Sequence, residues 1–502
     1  MKHLKKIAGL LLAVVMMLAM CVTASAANII IDGAGENAQY KAYKLLSATD
    51  LGDNKFTYTV EEKYRTILAS VTGKTNDTEI IEYIKNNDPR VFADTIYKTI
   101  RKNNSLEADA TTSSGKFENI ANGYYLIAET TLGSSEKTYS LVMLDTAGNA
   151  DCHVTPKKDE PTLEKKVKEK NDSEGTETDW QDGADYDLGD SVPFKLTGTV
   201  SQKYDSYSSY YYVFHDKMSA GLTFNKKSVV VKVDGNQVTG GYEVVTGSEN
   251  TANACTFEVK FADLKKITGA TVESDSIITV EYNATLNENS VIGSVGNPNE
   301  AKLEYSNNPY FDGSGKPSTS ETPEDKVIVF TYKLVANKTD GNKPLNGAGF
   351  TLYKFNHTTN AYVAVGDEIK GTEKEPKTTF EFERLDAGKY KLVETTVPSG
   401  YNKAEDLEFV VEATYDVNKA DPQFGTLVIK TADGQTTISG ENKVFSIDLA
   451  AGSATTDVVN KSGSKLPSTG GIGTTIFYVV GVVLMLGAGV LLITKRRMNA
   501  KH

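Results

Sequence analysis

Three reactive side chains stand in strand-like segments at positions that face inward. Lys338, Glu394 and Asn460 carry an amine, a carboxylic acid and a carboxamide. Successive side chains of a strand point to opposite faces, so each of the three shares a face with apolar residues two or four positions away. Burial favours the neutral forms of an amine and of a carboxyl group. Lys338 is therefore predicted to be a nucleophile and Glu394 a proton donor. The apolar neighbours are Leu334 and Ala336, Tyr390 and Leu392, and Val458.

A second lysine stands in a similar pattern nearer the N-terminus. Lys165 is in phase with Leu163 and Val167, whereas the adjacent Lys166 is out of phase. A later strand-like run offers asparagines of one phase, shared with Ala301, Leu303 and Tyr305: Asn297, Asn299 and Asn307. Strand alternation favours Asn299, but it leaves Asn297 and Asn307 open as alternatives.

The composition excludes several classes of function. The net charge is −12, which argues against nucleic acid as a partner. The chain has three Cys, and one of them, Cys21, lies in a predicted signal peptide, so Cys152 and Cys255 are too few for a disulfide framework. Cys/His metal spacings, P-loops and Gly-x-Ser-x-Gly elbows are absent from the sequence. We expect no metal, no cofactor and no enzymatic activity.

Both ends of the chain have the patterns of targeting segments. Residues 1–26 combine basic residues, an apolar stretch and a small-residue cleavage site, which is typical of a secretory signal peptide. The apolar run Ile476–Ile493 has about 18 residues, near the lower limit for a transmembrane helix. The basic residues 495–497 follow it and are predicted to stay cytoplasmic. Leu466–Gly470 would then lie just outside the membrane.

The first third of the mature chain mixes strand and helix patterns. Between residues 28 and 154, short alternating runs indicate strands. Apolar residues recur at helical spacing between these runs, in the groups Ile80, Ile81, Ile84 and Phe92, Ile96, Ile100. We predict a β-domain with a two-helix insertion near residues 60–104.

Two all-β units are predicted after this domain. Strand-like runs with turns continue from Pro161 to about Tyr310, where helical periodicity is scarce, and this favours a β-sandwich. A polar stretch with several prolines precedes a third all-β unit. The predicted fold is mainly β, with tandem Ig-like sandwiches between the signal peptide and a transmembrane helix. The predicted boundaries are 1–26 for the signal, 27–156, 157–310 and 326–461 for the domains, and 466–502 for the C-terminal anchor.

The C-terminus closely resembles the cell-wall sorting signal of Gram-positive surface proteins. Leu466, Pro467, Ser468, Thr469 and Gly470 match the LPxTG motif, and the apolar run and basic tail follow in the same order. In that family a sortase cleaves between the Thr and the Gly and joins the Thr carbonyl to an amine. The resemblance implies that Thr469 is the acyl donor. It also implies a secreted protein that is held in the membrane before sorting and is then linked to the cell wall.

The third unit resembles a Cna B-type domain. The segment Tyr390–Tyr401 matches the E-box of that family, and segments around Lys338 and Asn460 resemble its first and last strands. In the family, the Lys and Asn join spontaneously as an isopeptide bond with help from the E-box Glu. The resemblance implies a Lys338–Asn460 bond assisted by Glu394.

The middle unit resembles a Cna A-type pilin domain. The resemblance rests on Gly189–Phe194, Phe214–Phe224 and Gly296–Asn307. The assisting acid of that family is an Asp near a DxxxxGLTF segment, which corresponds to Asp216. Together with strand phase, this predicts a Lys165–Asn299 bond assisted by Asp216.

The first domain contains only a partial E-box. Tyr124–Thr130 includes Glu129, but we find no clear Lys or Asn partner for it in the sequence. We predict no cross-link in this domain.

Val154-Thr155-Pro156-Lys157 resembles the pilin motif, VYPK, of sortase-assembled backbone pilins. The Lys of that motif supplies the amine that is joined to the next subunit. Thr155 stands where the motif has Tyr, so the adjacent Lys158 remains an alternative to Lys157. The position at the first domain boundary is the one that the family requires.

These resemblances together identify the chain as similar to the major backbone subunit of a Gram-positive pilus. The implied partners are pilin-type and housekeeping sortases, identical subunits, peptidoglycan, possible accessory pilins and an unknown adhesive ligand. The main alternative is a monomeric wall-anchored adhesin, which would need Thr469 but not Lys157. The other is an extracellular enzyme or sugar-binding protein with its site in the first domain. The carboxylates of that domain lie on helix-like stretches and are predicted to be solvated: Glu61, Glu62, Glu79 and Glu82.

Overall fold

The structure is a computed structural model that describes residues 26–103, 106–134, 137–156, 159–247, 254–311, 317–372 and 374–463. It consists of successive β-domains, and the first of them also contains helices. The predicted mainly-β tandem architecture is confirmed. Cys152 and Cys255 are buried thiols in different domains, and no disulfide joins them.

The first domain has two sheets. Its strands are β1 (Ala26–Ile31), β2 (Gln39–Asp50), β3 (Phe56–Val60), β4 (Ala110–Thr112), β5 (Lys116–Ala121), β6 (Gly123–Thr131), β7 (Leu141–Asp145) and β8 (Asp151–Val154). One sheet has the order β5-β1-β8, and the other has the order β3-β2-β6-β7 with β4 added to β2. The last strand, β8, pairs in parallel with β1 at the edge of its sheet, and the chain leaves the domain after Val154.

Helices cover one face of the second sheet. They are α1 (Glu62–Thr72), α2 (Asp77–Asn86) and α3 (Pro89–Lys102), so the insertion contains three helices and not the predicted two. The helix that the sequence analysis missed is α1, which buries Tyr64, Ile67 and Leu68 at helical spacing. Gly73 ends α1 in the left-handed conformation that glycine adopts without strain.

The middle domain is a sandwich of two sheets around an aromatic core. Its longer strands are β9 (Leu163–Val167), β13 (Ser191–Thr199), β14 (Tyr212–Met218), β15 (Leu222–Val233), β18 (Phe257–Phe261), β19 (Ile277–Leu286), β20 (Asn297–Ser306) and β22 (Asp325–Phe330). The shorter strands are β10 (Lys170–Asn171), β11 (Thr176–Glu177), β12 (Gly183–Asp185), β16 (Asn236–Gln237), β17 (Glu243–Thr246) and β21 (Thr319–Glu321). The sheet orders are β16-β15-β19-β13-β9 and β12-β22-β20-β14-β18-β17.

The boundary between the middle and C-terminal domains lies later than residue 326. β22 pairs antiparallel with β20 and parallel with β12, so Asp325–Phe330 completes the middle sheet. The C-terminal domain then begins at about Thr331. The sequence has apolar strand-like segments on both sides of this junction. Only the pairing of β22 with β20 and β12 assigns β22 to the middle domain.

The C-terminal domain is also a two-sheet sandwich. Its strands are β23 (Tyr332–Thr339), β24 (Gly349–Asn356), β25 (Ala361–Ala364), β26 (Ile369–Lys370), β27 (Thr379–Leu385), β28 (Gly388–Thr396), β29 (Leu407–Tyr415), β30 (Phe424–Thr431), β31 (Phe445–Asp448) and β32 (Ser453–Val459). One sheet has the order β27-β23-β32-β31, and the other has β25-β24-β28-β29-β30. The first and last strands, β23 and β32, are parallel neighbours, with Lys338 opposite Val458.

Both junctions between domains are built from specific contacts. Tyr310 packs its ring against Tyr97 of α3 at 5.0 Å between centroids, and its carbonyl accepts a hydrogen bond from Arg101. At the second junction, Lys354 of β24 forms ion pairs of 2.6 Å with Asp187 and with Asp386. Each junction is therefore held by side chains that come from both of the adjoining domains.

Candidate functional site

Lys338, Glu394 and Asn460 meet in the core of the C-terminal domain. Lys338 lies near the end of β23, Glu394 lies on β28, and Asn460 directly follows β32. The ammonium nitrogen Nζ of Lys338 is 2.6 Å from Oδ1 of Asn460 and 3.6 Å from Oε1 of Glu394. The amide nitrogen Nδ2 of Asn460 donates to Oε1 of Glu394 at 2.8 Å. Each of the three residues is no more than 2% exposed.

The surroundings of this cluster favour a reactive amine. Burial lowers the pKa of Lys338, and the negative charge of Glu394 opposes that shift only in part. The other carboxyl oxygen of Glu394 accepts from the backbone N–H of Ala404 at 2.7 Å, which fixes the acid in place. An unprotonated amine beside a carboxamide can condense with it to an amide and release ammonia. The arrangement thus contains the nucleophile, the electrophile and an acid within hydrogen-bonding distance.

Lys165, Asp216 and Asn299 form a similar cluster in the middle domain. They lie on β9, β14 and β20, and all three are fully buried. Nζ of Lys165 is 2.5 Å from Oδ2 of Asp216. The second oxygen of Asp216 and the amide oxygen of Asn299 are buried without a hydrogen-bond partner. A buried carboxyl oxygen without a donor is satisfied when the carboxyl group carries a proton, because the protonated group is itself a donor.

Burial acts on both charges of this cluster. It lowers the pKa of Lys165 and raises the pKa of Asp216, and the attraction between the two groups opposes each shift. Both directions favour the neutral amine and the neutral acid, which are the forms that amide condensation needs.

The alternative residues of the middle domain have other partners. The amide of Asn297 donates to the carbonyls of Val291 and Val329 and accepts from the N–H of Val291, so it is fully engaged. Asn307 bonds to Ser318 and Ser320. Lys166 pairs with Asp182 at 2.6 Å on the other face of β9. Asn299 and Lys165 are therefore the residues that the structure brings together with Asp216.

The sequence analysis missed Tyr282, a fourth member of the middle cluster. Its hydroxyl lies 2.7 Å from Nζ of Lys165, 2.5 Å from Oδ2 of Asp216 and 3.1 Å from Nδ2 of Asn299. Tyr282 lies on β19 in phase with the buried Ile278 and Val280. The sequence could have indicated this role, because Tyr282 is predicted to point inward and a buried tyrosine hydroxyl requires a polar partner.

Glu129 of the first domain is buried with a different set of contacts. Its carboxylate accepts from the N–H and hydroxyl of Ser140 at 3.0 and 2.9 Å, and from the hydroxyl of Tyr40 at 3.4 Å. The expected absence of a cross-link in this domain stays a prediction.

Two other groups of carboxylates have cationic partners. Within the described ranges, metal-type ligands converge at Asp172, Asp187 and Asp190, whose oxygens lie within 4.8 Å of one another. Asp187 is already paired with Lys354, which supplies positive charge to that group. In the first domain, Glu61 pairs with Lys44, and the exposed Glu62 pairs with Arg65, as expected for surface ion pairs.

His215 is a buried cation between two glutamates. Its ring nitrogens lie 3.0 Å from Oε1 of Glu258 and 3.2 Å from Oε2 of Glu304, and the residue is 2% exposed. Burial alone would lower the pKa of His215, but hydrogen bonds with Cys255 and Glu304 and the charge of Glu258 outweigh it and raise the pKa to about 9.

We expect this histidine to make the stability of the middle domain depend on pH. Its folded-state pKa exceeds the usual value of 6.5, so its stabilisation is complete below pH 6.5 and is lost as the pH rises through about 9. The loss is on the order of 3 kcal/mol. Thermal unfolding between pH 6 and pH 10 measures it, with His215→Gln as the control that cannot titrate. Equal pH dependence in both proteins would contradict the assignment.

Several predicted elements lie outside the described residues. These are Lys157, Lys158, the motif Leu466–Gly470, the apolar run Ile476–Ile493 and the signal peptide up to residue 25. Among the helices that the structure does describe, none combines the length and apolar character needed to cross a membrane.

Three protein families match successive parts of the chain. The family described as Gram-positive pilin backbone subunit 2, Cna-B-like domain, matches residues 188–309. The SpaA prealbumin-like fold domain matches residues 332–423, and the LPXTG cell wall anchor motif matches residues 458–500. The description of the middle match as Cna-B-like differs from the A-type resemblance, which stays a prediction. The anchor match identifies a protein of the cell wall and cell surface.

A curated relative and two solved structures are similar to this chain. The trypsin-resistant surface T6 protein of Streptococcus pyogenes serotype M6 is 30% identical over 360 residues, which span 62% of this chain and 65% of the relative. The structure of the T6 backbone pilin of that serotype covers 89% of this chain and 100% of its own, at 20% identity and a TM-score of 0.51. The major pilin SpaD of Corynebacterium diphtheriae covers 89% and 100%, at 17% identity and a TM-score of 0.45. The chain thus contains segments that match a Gram-positive pilin backbone domain, a SpaA prealbumin-like domain and an LPXTG cell wall anchor, and it spans 65% of the length of the T6 relative.

Proposed function

We propose that this chain is the structural subunit of a covalently polymerised pilus that is anchored to the cell wall and serves in adhesion. A pilin-type sortase joins Thr469 of one subunit to Lys157 of the next, and a housekeeping sortase joins the last Thr469 to peptidoglycan. Because the donor and acceptor sites differ, the assembly is head-to-tail and open-ended. The subunit itself is a structural component and carries out no turnover.

The observation that carries the proposal is the placement of Lys338 beside Asn460. Asn460 directly follows the last strand, β32, and the chain continues from it toward Thr469. Tension applied at Thr469 first loads the hydrogen bonds of Lys461 and Gly463 with Asn402 and then reaches Asn460. A Lys338–Asn460 bond transfers this tension to the first strand, β23. The residues between Lys338 and Asn460 then carry no tension.

The middle cluster extends the same covalent path toward the N-terminal end. Lys165 follows the acceptor Lys157 by one short segment, and Asn299 lies on β20 of the opposite sheet. A Lys165–Asn299 bond, assisted by Asp216, bypasses most of the middle domain. The path from Lys157 to Thr469 then runs through two internal amide bonds. In a fibre one molecule wide, every subunit carries the full tension, and a subunit that unfolded would lengthen the fibre. The covalent path prevents this unfolding.

The proposal is tested on protein released from the wall of cells that produce this chain. An immunoblot is expected to show a ladder of very large species, and peptide mapping is expected to find Thr469 joined to Lys157. The map should also contain branched peptides that join Lys165 to Asn299 and Lys338 to Asn460. A single monomer-sized band would favour the monomeric adhesin instead. Unbranched peptides from both domains would refute the internal bonds without affecting the ladder.

A further inference from the structure

Tyr282 occupies the centre of the middle cluster rather than its edge. Its hydroxyl oxygen is within hydrogen-bonding distance of the amine of Lys165, the carboxyl of Asp216 and the amide nitrogen of Asn299. A phenol has one proton to donate and can accept two hydrogen bonds, so these three contacts use its full capacity. The hydroxyl donates to Asp216 and accepts from the other two groups.

The ring of Tyr282 is held independently of its hydroxyl. It stacks on Phe194 at 5.5 Å between centroids and contacts Phe257 and Phe224 edge-on at 4.9 and 5.8 Å. Aromatic packing of this kind fixes the ring plane. The hydroxyl is thereby aimed at the three reacting groups without depending on them for its position.

The C-terminal cluster shows what the hydroxyl replaces. There, the amide nitrogen of Asn460 contacts the carboxyl of Glu394 directly at 2.8 Å. In the middle cluster, the hydroxyl of Tyr282 holds the corresponding nitrogen of Asn299. The amide nitrogen is the atom that must leave as ammonia, and it needs a proton to do so. Each cluster thus places an oxygen against its leaving nitrogen, which is a carboxyl oxygen in one cluster and a phenol oxygen in the other.

We propose that Tyr282 is a catalytic residue of the middle-domain cross-linking reaction, where it carries a proton from the amine of Lys165 to the leaving nitrogen of Asn299. The inference rests on the Lys165–Asn299 bond of the proposed function. It adds a fourth residue to the Lys, the Asn and the assisting acid. Burial raises the pKa of Tyr282 well above its usual value, so the phenol keeps its proton at neutral pH.

The proton transfers balance without any other reactant. The ammonium of Lys165 first gives a proton to Asp216, across their 2.5 Å contact, and both groups become neutral. Nζ then attacks Cγ of Asn299 and forms the new carbon–nitrogen bond. Once Asp216 is protonated, the hydroxyl of Tyr282 turns its proton from Oδ2 to Nδ2. It then passes that proton to Nδ2 and takes one from the attacking nitrogen. The Cγ–Nδ2 bond breaks, ammonia leaves, and the phenol and the Asp216 carboxyl keep their protons.

The test follows bond formation in the full chain during cell-free synthesis. Intact mass at timed intervals reports the loss of one ammonia per bond, and peptide mapping separates the two domains. Tyr282→Phe removes only the hydroxyl and keeps the stacked ring, so we expect the middle bond to form on the order of a hundredfold more slowly. The matched control is Tyr212→Phe, which also removes a buried hydrogen bond from this core, to the carbonyl of Thr199 at 3.0 Å. We expect the control to react at the wild-type rate.

A ring-fluorinated tyrosine at position 282 separates proton transfer from positioning. It keeps the hydroxyl and its contacts but makes the phenol more acidic, so only a residue that moves a proton changes the rate. An altered rate with this residue supports the proposal. A wild-type rate with the fluorinated residue, or with Tyr282→Phe, overturns it. The Lys338–Asn460 bond should form normally in every variant, which shows that the C-terminal domain has folded, and the middle bond of Tyr212→Phe shows that the middle core tolerates the loss of a buried hydroxyl. If the wild-type chain forms no middle bond, the proposed cross-link fails and the role of Tyr282 fails with it.

Discussion

Replacing Lys157 by arginine is expected to abolish the high-mass ladder in wall extracts while leaving a folded, wall-anchored monomer. Arginine keeps the positive charge, but its guanidinium does not lose a proton in proteins and offers no usable nucleophile. Pro156 precedes the lysine and has no backbone N–H, so the segment is a poor partner for a neighbouring strand. Anchoring of the monomer needs Thr469 alone and should be unaffected.

The adjacent lysine supplies a matched control for this prediction. Lys158→Arg makes the same charge-conserving replacement one residue later, and we expect it to leave the ladder intact. Immunoblots of wall extracts from both variants measure the effect. Loss of the ladder in Lys158→Arg alone would assign the acceptor to Lys158. A normal ladder in both variants would refute the resemblance to the pilin motif.

Replacing Glu394 by glutamine is expected to leave the C-terminal domain without its internal bond. Glutamine has nearly the same shape but no acidic proton, so the amide of Asn460 loses the group that assists its displacement. The intact mass should then retain one ammonia that the wild-type protein has lost. Lys338 and Asn460 are 122 positions apart, and a cross-link across a loop of that length stabilises a fold by roughly 4–5 kcal/mol.

The thermal midpoint of this domain should therefore fall by on the order of 15 °C. Differential scanning calorimetry and intact mass spectrometry measure the two effects in the same sample. Glu368→Gln is a suitable control, because Glu368 accepts hydrogen bonds from Thr395 and Thr396 on the same sheet but lies apart from the cluster. An unchanged mass and midpoint in Glu394→Gln would show that Glu394 does not assist the reaction.

Strand alternation predicted which reactive side chains point inward. Lys165, Lys338 and Glu394 are buried as their phase required, whereas Lys166, one position out of phase, pairs with Asp182 on the other face of β9. This part of the prediction needs only the period of two within a single strand. The same local reasoning missed α1. This helix follows strand β3 directly, and no Gly or Pro between them marks the start of a new element.

The partner of Lys165 could not be chosen in this way. Asn297, Asn299 and Asn307 are separated by even numbers of residues, so alternation treats them alike. The register between β14 and β20 sets Asp216 opposite Ala301 and Met218 opposite Asn299. Asn299 and Asp216 therefore lie diagonally across one face, while Asn297 turns into the loop at Val291.

The sequence by itself determined the order of the domains, the sorting signal and the inward face of each reactive residue, because these depend on neighbours along the chain. The tertiary structure decided which side chains meet. It placed Asn460 beside Lys338 through the parallel pairing of β23 and β32, assigned β22 to the middle domain, and brought Tyr282 from β19 into the middle cluster. These contacts depend on register and sheet order between strands far apart in the chain, and residue alternation within one strand carries no information about either.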